Sequence, residues 1–337
     1  MYLVELCWGY LGLYWLFLFL QYTNKRKFWW IDLIHSFTLY LFVPTIFIFL
    51  TASIFRNYIL MIVSFGSAVV FIYKYRYILI PNRTCKKQSK YSISVMTYNV
   101  LESNRNLDGI VNSILSSNPD VIAFQEITNN IGEKLSELLS HIYPFQEFAS
   151  SLQDFPTNAF ISKYPFKMVD SIIEGYWKTP PQVLIVDFNG SPFYFINIHA
   201  NPTRIGTINS KEITHSFNLR LQQVEAIVRH ISQIKMPLII AGDLNSTEYN
   251  YAYTIITDQL QDAWRSAGWG LGYTFGLRNN TFMDRRPLKI SSCLPRWMLR
   301  IDFIFYSNKW MVTETHTGKW DNVSDHRPVI ANFILNS

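Results

Sequence analysis

Cysteine is scarce and scattered: Cys7, Cys85 and Cys293 are the only three in 337 residues. Neither a disulfide framework nor a zinc cluster can be built from thiols so far apart in the chain. No internal repeat or low-complexity tract is present. Acids are nearly missing from the first ninety residues, where Glu5 and Asp32 stand against ten Lys or Arg, a net charge of +8. Basic excess is missing from the remainder: residues 91–337 carry twenty Lys or Arg and twenty-two acids, a net −2. A nuclease tracking a phosphate backbone normally shows a basic face, so the second part offers little for nucleic acid beyond a local patch. A basic start is absent as well. Met1 to Tyr10 has no Lys or Arg, and apolar character resumes after a short polar break, which argues against a cleaved signal peptide.

What is present in excess is apolar sequence, 49% of the chain, concentrated at the front. Tyr2 to Tyr22 carries one charge, Glu5; Phe28 to Phe55 carries Asp32 and His35 near its start; Tyr58 to Tyr73 carries none and runs on toward Ile80. Each approaches or exceeds the roughly 18 to 20 residues that cross hydrocarbon, and none has the polar face of a buried soluble helix. Residues 1–80 are therefore expected to be a transmembrane anchor of about three helices, and 81–91, with Pro81, Asn82 and Arg83, a juxtamembrane linker. Lys25-Arg26-Lys27 and the run of Lys74, Arg76, Arg83, Lys86, Lys87 and Lys90 fall on one side, leaving only Arg56 on the other. Charge bias then places the following domain in the cytoplasm.

From residue 92 to 337 the pattern changes to short apolar runs separated by helices, an α/β rather than an all-β signature. Ser92–Asn99, Val121–Phe124, Thr157–Ser162, Val183–Phe188, Phe193–His199, Pro237–Ala241, Arg300–Tyr306 and Pro328–Ile334 read as strands. Leu107–Leu115, Ile131–Ile142 and Asn218–Ile234 read as helices. Strand ends deliver Asn99, Glu126, His199, Asp243 with Asn245, Asp302, and Asp325 with His326. Any one of these has an ordinary explanation as a turn or structural residue. Their recurrence at the same structural position does not.

The segments Met96-Thr97-Tyr98-Asn99-Val100, Asp120-Val121-Ile122-Ala123-Phe124-Gln125-Glu126, Asn197-Ile198-His199, Ala241-Gly242-Asp243-Leu244-Asn245, Arg300-Ile301-Asp302-Phe303-Ile304 and Ser324-Asp325-His326-Arg327-Pro328 resemble, in order, the motifs of the endonuclease/exonuclease/phosphatase superfamily. The resemblance runs from about residue 92 to the end, and the front resembles the anchors of a membrane-bound bacterial subgroup. It implies a four-layer α/β/β/α sandwich of two packed mixed sheets with an active site at one rim. In that frame Glu126, Asn99 and Asp325 hold Mg²⁺ or Mn²⁺, a hard cation that takes oxygen ligands. Asp243 activates the attacking water, and Asn245, His199 and His326 donate to the phosphoryl group, His326 being oriented by Asp302. In the subgroup the catalytic domain lies outside the cytoplasmic membrane, opposite to the charge bias, and the side stays open. Abasic-site endonucleases of the superfamily carry an acid two positions after the first Asn; this chain has Leu101 there, and Glu102 would point elsewhere. A single metal and a substrate other than an abasic site follow from that departure.

Two loops bear on substrate choice. Gly268–Phe275 is rich in glycine and aromatics, suited either to close ligand approach or to a rigid packed turn. Arg278–Arg300 mixes Arg285, Arg286, Lys289, Arg296 and Arg300 with Pro and apolar residues, suited to a membrane surface or to plain solvation. The expected function is a membrane-tethered hydrolase of a phosphorylated or pyrophosphorylated amphiphile: a phospholipid, a sphingolipid or a polyprenyl phosphate. Its partners are then the lipid bilayer and a lipid-like substrate, with no obligate protein partner inferred. The alternatives are a nuclease for DNA or RNA and a catalytically silent scaffold.

Overall fold

The computed structural model describes residues 2–23, 28–80, 92–148, 155–170, 172–203, 210–276 and 295–336. The expected linker 81–91, the Lys25-Arg26-Lys27 turn, and residues 278–294 of the basic loop lie outside the described residues. Backbone packing divides the chain into two units, Met1–Ile80 with Glu248–Tyr251, and Pro81–Thr247 with Ala252–Ser337.

The first unit contains helices α1 (Tyr2–Thr23), α2 (Trp29–His35), α3 (Thr38–Ile54) and α4 (Tyr58–Leu79). Cys7, Leu11, Tyr14 and Phe17 form the buried stripe of α1, while Leu3, Leu6, Leu13, Leu16 and Phe19 face outward. A helix apolar all round, with its outer side chains uncovered, suits lipid rather than water. Helices α1 and α4 are each long and apolar enough to cross a membrane; α2 and α3 pass only together, bent by 63°, so the unit holds two such helices, or three if the bent pair is one span. The sequence suggests one continuous second span. The break falls where Ser36 and Phe37 interrupt the helix and the Thr38 hydroxyl donates to the His35 carbonyl at 2.7 Å. Buried hydroxyls elsewhere return to the preceding turn, as Thr45 does to Phe42 and Ser64 to Leu60, each at 2.7 Å. These hydroxyls are thereby satisfied within their own helices or the turn before them.

The second unit runs β1 (Ser92–Asn99), α5 (Leu107–Ser117), β2 (Val121–Ile127), α6 (Asn129–Leu139), β3 (Phe145–Phe148), β4 (Thr157–Ser162), β5 (Phe166–Met168), β6 (Gln182–Phe188), β7 (Ser191–His199), α7 (Ser210–Ile231), β8 (Leu238–Asp243), α8 (Tyr251–Thr257), β9 (Gln261–Asp262), α9 (Ala263–Ala267), β10 (Asp302–Tyr306), β11 (Trp310–Thr317) and β12 (Val329–Leu335). Two six-stranded sheets result, ordered β11-β12-β1-β2-β4-β3 and β5-β6-β7-β8-β10-β9. The β1–β2 and β7–β8 pairs are parallel and the others antiparallel, so both sheets are mixed.

Alternation along the strands explains the layering. Val95, Val121, Phe160 and Phe333 of the first sheet meet Leu184, Phe195, Ile239 and Ile304 of the second in one central core. The alternate residues face outward beneath helices: Met96, Ile122 and Phe124 under α5 and α6, and Ile196, Ile240 and Phe303 under α7 and α8. Strands buried on both faces read as continuous apolar runs, and full burial of each large aliphatic contributes roughly 1.5–3 kcal/mol. The α/β/β/α sandwich is the one the motifs imply. Strand β11 went unread in the sequence because its apolar pattern gives way to Thr313, Glu314 and His316 after Val312.

Candidate active site

Strand ends carry the polar residues to one place. Asn99 closes β1, and β2 brings Glu126 alongside; His199 and Asp243 end the parallel pair β7 and β8 and sit opposite each other. Asp302 opens β10 directly across from Asp243. Glu126 sits in a bulge between Phe124 and Ile127 with φ 59°, and Asn245 has φ 50°, both in the left-handed region that side chains seldom occupy. Such a bulge re-aims one side chain out of the ladder; here it is the Glu126 carboxylate.

Asp243 is the hub. Its Oδ2 accepts from Asn99 Nδ2 and from Asn245 Nδ2, both at 3.2 Å, and lies 3.7 Å from His199 Nε2 and 3.8 Å from His326 Nε2. Its Oδ1 accepts the Asn245 N–H at 2.7 Å. Glu126 Oε1 accepts from Asn99 at 3.1 Å and lies 3.6 Å from His199, while Oε2 takes the Glu102 N–H at 3.0 Å. Asp325 Oδ1 is 3.9 Å from His326 Nε2. All eight expected residues thus converge. The Asn245 amide also donates to the Ala200 carbonyl at 3.0 Å, so reaching a phosphoryl oxygen requires it to leave that bond.

Electrostatics sorts the carboxylates into roles. Burial raises Asp243 to about 8, against the pull of His326, and raises Asp325 to about 6, with Glu126 adding to the push. Burial also pushes Glu126 upward, but His199, the Asn99 amide and the Glu102 N–H together hold it below the usual carboxylate range. Burial lowers His199. His326 resists the same burial because Asp302, with Asp243 and Asp325, holds it well above the ordinary histidine value. One histidine is therefore neutral and the other cationic near neutrality.

Residues beyond the expected eight position the site. Thr274 Oγ1 accepts the N–H groups of Ile301 and Asp302, each at 3.2 Å. Ser324 Oγ donates to the Asn99 carbonyl at 2.8 Å and accepts the His326 N–H at 3.0 Å, tying the ends of two motifs together. Asp321 accepts the Val323 and Ser324 N–H groups and the Asn104 amide, fixing the turn that presents Asp325. On α7, Arg220 donates to the Asn201 carbonyl and Gln223 accepts the Asn201 N–H, bracing the loop after His199. Beneath the site Gln125 and Asn197 join the sheets by a 2.8 Å hydrogen bond. No local spacing signals these contacts.

The oxygen donors fit a hard cation. Glu126 and Asp325 are close enough for one carboxylate to raise the other, a repulsion that a divalent ion offsets. Asn99 Oδ1 accepts the Leu101 N–H at 3.1 Å, so it joins the set only if its amide turns over. A second candidate seat is the trio Asp243, Asp302 and His326, with ligand atoms within 4.8 Å of one another. Its histidine is cationic and paired to Asp302, which makes it the poorer seat for a cation.

The two loops resolve differently. Gly268–Phe275 is packed at Gly272, where a Cβ at φ 59° would lie 2.3 Å from the Trp264 ring, while Trp269 is exposed and the Phe275 ring lies 4.9 Å from that of His326. Arg300, expected at the surface, is buried 2.8 Å from Asp262, because it belongs to the core beside β10 rather than to the loop. Arg296 lies over Trp320, Trp320 meets Trp297 edge-on, and Arg327 lies over Trp297.

Residues 96–326 match the Endonuclease/Exonuclease/phosphatase family. No curated protein matches the chain. An endonuclease/exonuclease/phosphatase from Beutenbergia cavernae DSM 12333 is similar with a TM-score of 0.56 at 19% identity, covering 74% of this chain and 72% of that one. A family protein from Bacteroides thetaiotaomicron gives 0.53 at 16%, covering 74% and 100%, and truncated Caenorhabditis elegans TDP2 gives 0.53 at 17%, covering 74% and 100%. At these identities the structural likeness speaks for the fold alone.

Proposed function

The chain belongs to the Endonuclease/Exonuclease/phosphatase family of metal-dependent phosphoric ester hydrolases, and from that premise we propose that it is a membrane-tethered phosphoesterase acting on a phosphorylated or pyrophosphorylated amphiphile with Mg²⁺ or Mn²⁺. One observation carries the substrate class. The same chain holds a phosphoesterase site and two or three helices apolar enough to cross a membrane, while residues 91–337 have a net charge of −2. Tethering raises the effective concentration of the site at the bilayer.

The residues divide the reaction among themselves. Asp243 takes the proton of the attacking water, a task for a base whose value of about 8 is near working pH. Asn245 holds its carboxylate in place, and Asn99 does so as long as its amide is not turned over toward the ion. Cationic His326 donates to the phosphoryl oxygens as charge builds on them, with Asp302 fixing its tautomer; His199 is a second, neutral donor. Glu126, Asp325 and, with its amide turned over, Asn99 are the residues to hold the ion, which when bound polarises a phosphoryl oxygen and offsets negative charge. In this reading no protein nucleophile intervenes and water attacks phosphorus directly.

The test is turnover by the full chain in detergent with Mg²⁺, offered a panel of lipid phosphates and, separately, plasmid DNA. Release of phosphate or headgroup from a lipid, abolished in Asp243→Ala, supports the proposal. Plasmid cleavage without lipid turnover would replace it with the nuclease, and silence toward every phosphoester with a scaffold.

A further inference from the structure

The loop Ile172–Lys178 alternates anchored and exposed side chains. Ile173 is buried at 4% exposure and Trp177 packs on the core beneath α7, yet Ile172 is 92% and Tyr176 66% exposed. The projection is built rather than slack. Gly175 turns at φ 110°, Trp177 Nε1 donates to the Glu174 carbonyl at 3.3 Å, and Gln223 Nε2 donates to the Tyr176 carbonyl at 2.8 Å. That same Gln223 accepts the N–H of Asn201, two residues beyond His199, at 2.8 Å. One helix side chain therefore clamps both this loop and the His199 rim.

Holding a large aliphatic and an aromatic side chain out in water on a braced loop forgoes the burial that drives folding. A bilayer interface reverses that balance: aliphatic groups enter the acyl boundary, Tyr and Trp settle at headgroup level, and Lys extends its amine toward phosphates. Glu174 and Lys178 cancel in charge, so attraction by apolar surface, not by a basic patch, governs the contact. The occupant this surface is assigned is a bilayer, because the same chain carries helices apolar enough to cross one.

We infer that Ile172 and Tyr176 dip into the headgroup region of the membrane, so that the His199 rim of the active site opens on the lipid surface. This rests on the tethered reading above, and its test reads contact instead of turnover. In the full chain, with Cys7, Cys85 and Cys293 replaced by alanine or serine, Ile172→Cys carries an environment-sensitive fluorophore. The protein is reconstituted in phosphatidylcholine vesicles containing an acyl-chain quencher. Leu138→Cys on α6, also at an exposed position, is the control. The label at 172 is expected to be quenched several-fold more than that at 138; equal quenching overturns the inference. In a second arm Ile172→Asp with Tyr176→Asp is expected to raise KM for vesicle-borne lipid phosphate about tenfold, roughly 1.4 kcal/mol. A water-soluble phosphoester should be turned over as before, which also shows that the variant folds. An unchanged vesicle KM counts against the inference. Quenching at 172 with no lipid turnover keeps the bilayer contact and removes the lipid substrate.

Discussion

His326 Nδ1 lies 2.8 Å from Oδ2 of Asp302, an ion pair closed to solvent. The carboxylate keeps the imidazole cationic well above its ordinary range, so the site retains its donor as pH rises. Asp302→Asn is expected to lower kcat roughly hundredfold, the scale of one lost transition-state donor. It should also move the high-pH limb of the profile down toward the unperturbed value near 6.5. A kcat–pH profile on a soluble phosphoester checks both; a high-pH limb that stays put contradicts the role given to Asp302.

The same titrations bear on stability in the metal-free protein. Asp243 rises from 3.8 to about 8 and His326 rises from 6.5, so between about pH 6.5 and 8 the folded state binds more protons than the unfolded one. Stability then falls as pH rises through that window. His199, lowered, acts in the opposite sense, but below 6.5. Chelator-treated protein is expected to melt at a lower temperature at pH 8 than at pH 6.5, with Mg²⁺ restoring more at pH 8. A flat melting temperature would show that these groups are not perturbed as described.

Metal dependence distinguishes the two candidate seats. Glu126→Gln should raise the Mg²⁺ concentration for half-maximal activity about tenfold or more, since it removes a charged oxygen donor. His326→Gln should lower kcat while leaving that concentration nearly unchanged. The reverse pattern in a metal titration would move the ion to the Asp243, Asp302 and His326 trio.

Gly242 is a backbone requirement at the floor of the site. Its φ is 149°, and a Cβ there would lie 1.9 Å from the Ile198 carbonyl oxygen on the neighbouring strand. Gly242→Ala is expected to cost at least about 2 kcal/mol through strain and forced separation of β7 and β8. Thermal unfolding measures it, and a variant as stable as the parent would mean that the strands are not packed this closely.

Much of the site was legible because each motif couples an apolar strand to a polar terminus, and apolar runs such as Val121–Phe124 and Leu238–Ala241 declare themselves. The four layers are what the family resemblance carried by those motifs implies. The conformation that makes Glu126 useful did not, since a left-handed residue inside a bulge leaves no trace in composition. Arg300 was misplaced for a related reason: a basic residue beside Trp297 and Met298 reads as a loop, and only tertiary contact with Asp262 shows it to be interior. Thr274, Asp321 and Gln223 act across long stretches of chain, a distance that pattern reading does not span. In the first unit the 63° bend arises at Ser36 and Phe37, where hydropathy remains high enough to hide it.

The Gln125–Asn197 hydrogen bond beneath the site joins two slabs that contribute different halves of the chemistry. Asn99, Glu126 and Asp325 come from one slab, and His199, Asp243 and Asp302 from the other. Catalytic competence is then a matter of alignment between halves, and small slippage would spoil it while every strand stayed intact. Substitutions deep in the shared interior, at Phe195 or Val95 for instance, would act like a spacer of altered thickness, dimming the enzyme long before unfolding it.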